Sequence, residues 1–393
     1  MSGRTFCMTC GWLLCIAQLV LIVAMCLVAY FYINPRSSNE TGFVAHNEHH
    51  HRQLVDRINS EQSSWKAEYN PSAWRHQDSV TAWVGYNEGD RYYQDLINMN
   101  VPSAYVDAYN RDTTTPLPTM FDAREQWPLC TSVHDINDQG ACGACWAVAS
   151  AAVISDRTCI HSNATVQAQM SVQDLISCCP FCVQNGFEVN GCLGASGIRA
   201  FHQWVTTGIV TGGLYGSSGG CKPYEIDSEC GHPCATDTYV TPGQCSTECD
   251  PTYHKQYDDD KHFGEWYFTW PPVTTSPTES PLFSFLSNPY KETKQARDFL
   301  KRNVKDHGPI AVAFRFPEDL QHYRSGVYRY FAGDFLFMHA VKLIGWGRNP
   351  DTDTEYWIIA NTFGRNWGEN GFGRLAVDSM NIVGYAFGMP RTI

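Results

Sequence analysis

Cys142 and Cys145 stand three residues apart in "QGACGACWA" (139–147), and His339 and Asn361 lie far downstream in a chain of 393 residues. A C-x-x-C spacing suits a redox pair, half of a zinc site, or one structural thiol beside one reactive thiol. The third option needs a base for the thiol and a group that orients the base. His339 and Asn361 are of the required types: an imidazole that can take the thiol proton, and an amide oxygen that can hold the ring in one tautomer.

Such residues work only if the chain brings them together. The run "WAVASAAVISDR" (146–157) has alanine at 147, 149, 151 and 152. These small, mostly apolar, helix-favouring residues predict a buried central helix with Cys145 in its first turn. The positive end of that helix and a nearby imidazolium favour thiolate, moving a thiol from about 8.5 to between about 3.5 and 7.5. His339 and Asn361 fall on two β-rich runs, 339–346 and 354–361, that flank "GRNPDTD". Pairing the runs about Pro350 makes opposed residue numbers sum to 700, which sets 339 against 361. Directly opposed residues share a face with Cβ atoms about 4.5 to 5.5 Å apart, and a bulge shifts the register by one. "IAVAFRF", "HAVKLIGWG", "EYWIIAN" and "GFGRLAV" together predict an antiparallel sheet or barrel. Before them, "KQARDFLKRNVKDHG" (294–308) predicts a charged amphipathic helix ended by Gly308-Pro309.

Cysteine counting separates the three options. Of 17 cysteines, four (Cys7, Cys10, Cys15, Cys26) precede residue 27, thirteen fall between 130 and 249, and none follows. Such density points to an oxidising lumen or the exterior, and an odd thirteen leaves one thiol over. Pairing Cys142 with Cys145 would leave eleven, still odd, and no βαβ pattern precedes the motif, which argues against a redox pair. "CCPFC" (178–182) and "CGHPC" (230–234) could mimic a second zinc ligand pair, but both sit in Gly/Pro-rich loops typical of disulfide scaffolds. No metal and no cofactor is expected. The net charge of -12 disfavours nucleic acid as a partner.

Along the chain, residues 1–11 form a short N-terminus, read as cytoplasmic. Residues 12–33 hold 22 residues with Gln18 the one strongly polar side chain, enough for a transmembrane signal-anchor; a cleaved signal peptide is the alternative. Residues 34–116 lack cysteine. Within them, His46, His49, His50 and His51 read as a solvated juxtamembrane run. "RDTTTPLPT" (111–119) has linker composition, and "WPPVTTSPTESP" (270–281) reads as an exposed loop. Asn39 and Asn163 begin Asn-x-Thr sequons that can accept glycans.

"QGACGACWA", "HAVKLIGWG" and "NTFGRNWGENGFG" resemble the cysteine, histidine and asparagine segments of papain-like cysteine proteases. More narrowly, "LPTMFDAREQWPLC", "ISDRTCIHSN", "GCKPY", "DKHFG" and "GMPRT" are similar to cathepsin B, and "LVDRINSEQSSWKAEYN" (54–70) to its prosegment. The resemblance implies an α+β, disulfide-rich, two-lobed papain-like fold, with a helical lobe, an antiparallel β-barrel lobe and the active site in the cleft. It makes residues 34–116 an inhibitory prosegment and 117–393 the peptidase domain. It implies Cys145 as nucleophile, His339 as base and acid, Asn361 as the orienting group, and Gln139 as an oxyanion donor. It also implies pairing of Cys130 with Cys159, Cys142 with Cys192, Cys178 with Cys245, Cys179 with Cys182, Cys221 with Cys249 and Cys230 with Cys234.

Departures from the family pattern qualify the substrate site. One histidine, His232, stands between Cys230 and Cys234 where cathepsin B carries two that grip a substrate's C-terminal carboxylate. The expectation is a mainly endopeptidic enzyme. Gly194 and Ala195 occupy the substrate-strand positions, Phe337 and Met338 replace two glycines before His339, Phe363 replaces a tryptophan, and Gly384 replaces an acidic specificity residue. The rival reading is a catalytically impaired homologue acting as a binding module. The implied partners are protein and peptide substrates, the prosegment itself, cystatin-type inhibitors, epoxysuccinyl compounds and a membrane through 12–33. The implied location is the endolysosomal lumen or the secretory pathway and exterior, anchored as precursor.

Overall fold

A computed structural model of the chain describes residues 40–71, 115–180, 182, 190–228, 234, 240–270, 294–380 and 382–391. The chain divides into two compact units, Met1–His50 and His51–Ile393. The described part of the first is the beginning of helix α1 (Glu40–Glu61), on which His49 and His50 are exposed. Residues 12–33 lie outside the described residues, and no described helix is long and apolar enough to cross a membrane.

In the second unit, α1 leads to strand β1 (Trp65–Ala67), followed by β2 (Phe121–Asp122), α2 (Ala123–Gln126), α3 (Cys145–His161), α4 (Val172–Cys178) and α5 (Gly197–Thr206). Then come β3 (Gly264–Trp270), α6 (Lys294–His307), β4 (Ile310–Pro317), β5 (Tyr323–Tyr328), β6 (Phe335–Arg348), β7 (Glu355–Ala360), β8 (Phe372–Ala376) and β9 (Ile382–Pro390). The strands form one sheet in the order β1-β5-β8-β7-β6-β4-β9-β3, with β2 on β6. It is antiparallel except for the β5–β8 pair and runs open rather than closing into a barrel.

The alanine-rich run forms α3, most of which is buried. Its small side chains let the helix pack closely on Ala311, Ala340 and Ala386 of β4, β6 and β9 in one apolar cluster. Beyond Ser162 the chain turns at Asn163 and Ala164, both at positive φ, and the helix stops. Strand β6 is covered on both faces: Val341 and Leu343 belong to a second cluster with Phe314, Phe316, Trp346 and Trp357. Two-sided burial explains why β6 reads as a continuous apolar run instead of an alternating one.

Strand β1 and the end of α1 dock on the sheet. Trp65 pairs with Gly326 of β5, is buried, and donates from Nε1 to the Arg329 carbonyl at 3.0 Å. Gly326 has φ of +97°, and a Cβ there would meet the Ser64 carbonyl oxygen at 2.6 Å. His51, expected in a solvated run, is instead buried, with Nδ1 3.1 Å from His322 Nε2. The Asn70 N–H donates to His322 Nδ1, so the neutral His322 ring carries its proton on Nε2 and donates to His51. The burial has a cause invisible in the local sequence: a partner 271 residues away.

Candidate active site

Disulfides join Cys130 to Cys159, Cys142 to Cys192, Cys178 to Cys245, Cys179 to Cys182, and Cys221 to Cys249. Cys234 is also disulfide-bonded, while Cys230 and His232 lie outside the described residues, as does Asn39. Among the described residues, Cys145 is the cysteine outside these bonds. It is the first residue of α3, buried, and the N-cap residue Ala144 makes no side-chain cap, so the sulfur sits at an uncapped positive helix end.

The loop before α3 is held from several sides. Gly140 has φ of +58°, and a Cβ there would fall 2.3 Å from the Asp227 carbonyl oxygen, so this turn requires glycine. The Cys142–Cys192 bond and the hydrogen bond from Gly143 N–H to the Cys192 carbonyl at 2.9 Å tie the loop to the turn carrying Gly194 and Ala195. Gln139 is buried and donates from Nε2 to the Cys142 carbonyl at 2.8 Å. An amide nitrogen has two hydrogens, so the second remains for another acceptor.

His339 lies on β6 with 1% of its surface exposed, and its Nε2 is 2.7 Å from Asn361 Oδ1. The same Oδ1 accepts the Thr362 N–H at 2.8 Å, which identifies it as the oxygen of the amide. Nε2 therefore carries the ring proton and donates, leaving the lone pair on Nδ1. Asn361 Nδ2 is buried without a hydrogen-bond partner among the described residues.

The register that brings these two together differs from the simple hairpin. Lys342 faces Ala360 and Trp346 faces Trp357, with a bulge between Leu343 and Gly345. Extended outward, this register sets position 363 across from His339, and Asn361 reaches the ring diagonally. Phe363 accordingly stacks on the imidazole, centroids 4.5 Å apart. Phe316, Phe337 and Phe314 present edge contacts at 5.2, 5.9 and 6.0 Å. Burial in this aromatic cage pushes the imidazole down to about 4, against the upward pull of its bond to Asn361.

Sequence reasoning missed Thr362. Its N–H holds Asn361, its hydroxyl donates to Gln139 Oε1 at 2.7 Å, and its carbonyl accepts the Gln139 N–H at 2.9 Å. One residue thus links the histidine's orienting group to the loop before Cys145. Adjacency to Asn361 was its one signal. Among the remaining candidates, Met338 is half-buried opposite Arg315, and Gly384 lies opposite Ala313, which also faces Ala340. Asn163 is exposed at φ of 52°. Among the described residues, no group of three or more His, Cys, Asp or Glu could hold a metal ion.

Residues 117–388 match the family model for papain family cysteine proteases. The chain is 37% identical over 332 residues to cathepsin B-like cysteine proteinase 5 of Caenorhabditis elegans, covering 82% of this chain and 84% of that protein. It is 36% identical over 320 residues to cathepsin B-like cysteine proteinase 3 of the same organism, covering 81% and 76%. Among solved structures, procathepsin B S9 from Trypanosoma congolense is similar at a TM-score of 0.61 and 27% identity, covering 87% of this chain and 98% of that one. Digestive procathepsin L 3 from Tenebrio molitor larval midgut shares the fold at a TM-score of 0.56 and 16% identity, covering 92% and 96%.

Proposed function

The chain belongs to the papain family of cysteine proteases and is a cathepsin B-like cysteine peptidase, and we propose that it cleaves internal peptide bonds of proteins through Cys145, His339 and Asn361. The observation that carries this reading is the 2.7 Å bond from His339 Nε2 to Asn361 Oδ1, which leaves Nδ1 as the basic atom. The thiol proton passes to Nδ1, and the sulfur attacks the peptide carbonyl. The oxyanion that forms is held by the Cys145 N–H at the helix start and the second Nε2 hydrogen of Gln139. Collapse expels the amine with the proton from His339, and water then hydrolyses the thioester with His339 as base.

Residues 34–116 act as the inhibitory prosegment of a zymogen whose peptidase domain is 117–393, a reading supported by the docking of β1 on β5. With His232 the one histidine between Cys230 and Cys234, carboxydipeptidase action is minor. Gly194, Ala195, Met338 and Phe363 border the substrate, and Gly384 opens the pocket for the residue second before the scissile bond. Residues 12–33 anchor the precursor in a membrane of the secretory or endolysosomal system, and Asn163 carries a glycan. Cystatin-type inhibitors and epoxysuccinyl compounds block the mature enzyme.

The test is hydrolysis by the purified mature form. The reading predicts faster cleavage of C-terminally blocked peptides than of the same peptides with a free carboxylate, and loss of both activities in His339→Ala. Equal or better cleavage of the free-carboxylate peptides would overturn the endopeptidase assignment. A processed protein that cleaves neither would favour the binding-module alternative.

A further inference from the structure

We propose that the buried ion pair between Asp156 of α3 and Lys342 of β6 is a positioning element for the catalytic couple, fixing where the helix bearing Cys145 sits along the strand bearing His339. The inference rests on the assignment of Cys145 and His339 above. Lys342 Nζ lies 2.8 Å from Asp156 Oδ2, with the two side chains 2% and 0% exposed. Lys342 also donates to the Ser132 carbonyl at 3.1 Å. Ser132 lies two residues beyond Cys130, whose disulfide ends on Cys159 of α3. One ammonium group therefore gathers the helix, the strand and the segment that precedes them.

The spacing suits this role. Asp156 follows Cys145 by 11 residues. That is about three helical turns and about 16 Å along the axis, so the two side chains share a side of α3. Lys342 follows His339 by three residues, about 10 Å along an extended strand. Lys342 projects from the helix-facing side of β6 with Ala340, whereas His339 projects from the other side with Val341. Displacing Lys342 along α3 therefore moves His339 through the strand backbone.

The apolar contact between helix and sheet is shallow. Where α3 meets β4, β6 and β9, the facing residues are Ala311, Ala340 and Ala386, and alanine ridges are too shallow to key a helix axially. Arg157, the next residue of α3, bonds the carbonyls of Gly308, Pro309 and Gly388 and the side chain of Asn303. It secures the helix to α6, to the turn before β4 and to β9, while Asp156 and Lys342 make the direct polar contact to β6 itself. A buried pair is also a poor source of stability. Burial pushes the Asp156 carboxyl up while Lys342 pulls it back, and apolar replacements of such pairs are often neutral or stabilising. What the pair supplies is a fixed contact: parting the two charges leaves each buried without its partner, which is strongly unfavourable.

The experiment compares the mature enzyme with the double variant Asp156→Leu/Lys342→Met and with Lys342→Arg, normalised by active-site titration. Readouts are Tm, kcat, KM and the pH profile of Cys145 alkylation. The double variant is expected to keep or raise Tm and hold KM within about two-fold. Its kcat should fall by about 10-fold or more, because displacements near 1 Å cost up to about 10²-fold. Its alkylation profile should lose part of the low-pH thiolate limb, while Lys342→Arg, which keeps charge and donors, stays close to the parent. A double variant with parental kcat and alkylation profile would overturn the proposal, as would Lys342→Arg falling as far as an apolar residue. A parent whose Cys145 alkylates no faster than a free thiol at mildly acidic pH would contradict the nucleophile assignment instead, so the two failures are distinct.

Discussion

Asn361 Oδ1 accepts two hydrogen bonds at once, from His339 Nε2 at 2.7 Å and from the Thr362 N–H at 2.8 Å. The second bond is what makes the first useful. A side-chain amide can present either end to a ring, but an oxygen already fixed by a backbone donor can only accept, and the imidazole must give it a proton. The tautomer of His339 is set by a backbone N–H that the ring itself does not touch.

Thr362→Val tests the other link this residue makes, from its hydroxyl to Gln139. The backbone donor remains, while the Thr362 hydroxyl bond to the buried Gln139 Oε1 is lost. Leaving that oxygen without its donor costs about 1 to 3 kcal/mol of stability. With Gln139 less well held, kcat falls several-fold while KM changes little. Thermal unfolding and steady-state kinetics on a short peptide check both effects; an unchanged kcat would remove Gln139 from the oxyanion assignment.

Acid should weaken the fold through histidines that are partly or wholly withdrawn from water. His161 and His307 stack at 5.5 Å, and burial, aided by the Arg157 charge, pushes both down to about 4. A histidine depressed in the folded state contributes stability that is intact above about 6.5 and is lost as pH falls toward its folded value. His339 acts in the same direction, whereas Asp319, pushed up to about 6 by burial, acts in the opposite one. In the Cys145→Ala protein, which cannot digest itself, Tm should fall between pH 6.5 and 4. Replacing both His161 and His307 with Gln should flatten that slope. A slope unaffected by the double replacement would show that this pair does not titrate with unfolding.

The proposed specificity residue, Gly384, can be tested directly. The strand order places it beside Ala313, which faces Ala340 on the next strand, so three small residues lie in a row across β9, β4 and β6. If this row floors the proposed pocket, it favours apolar or aromatic side chains second before the scissile bond. A positional-scanning library should show that preference in the parent and a new acceptance of arginine in Gly384→Glu. Preference of the parent for arginine would contradict the assignment.

Trp65 is the main apolar anchor of β1, packed against Tyr328 and Tyr323 with ring centroids 5.1 and 6.2 Å away. Trp65→Ala should lower proform stability by about 3 to 5 kcal/mol. It should also raise the activity of the uncleaved proform toward a small peptide. Destabilisation without any added activity would mean that this strand does not contribute to inhibition.

Much of the site was legible where local sequence and tertiary role agree. Alanines at 147, 149, 151 and 152 mark a helix that must pack closely, and that helix starts at Cys145. The β-rich runs around His339 and Asn361 give the strands, but their pairing is set by a bulge between Leu343 and Gly345 that no residue type announces. Strand β1 has three residues and a partner about 260 positions away, too little local signal to read. Asp156, Lys342 and His51 are polar, and polar residues read as solvated until the fold supplies a buried partner. Thr362 makes two of its three bonds through backbone atoms, which every residue type shares.

The most direct test of the Cys145–His339 assignment is intact-mass and peptide-mapping analysis of the mature protein after reaction with an epoxysuccinyl probe at mildly acidic pH. The account predicts one adduct per molecule, mapped to Cys145, absent in Cys145→Ala and slowed in His339→Ala. Failure of the processed protein to form any adduct, or an adduct that persists in Cys145→Ala, would contradict it.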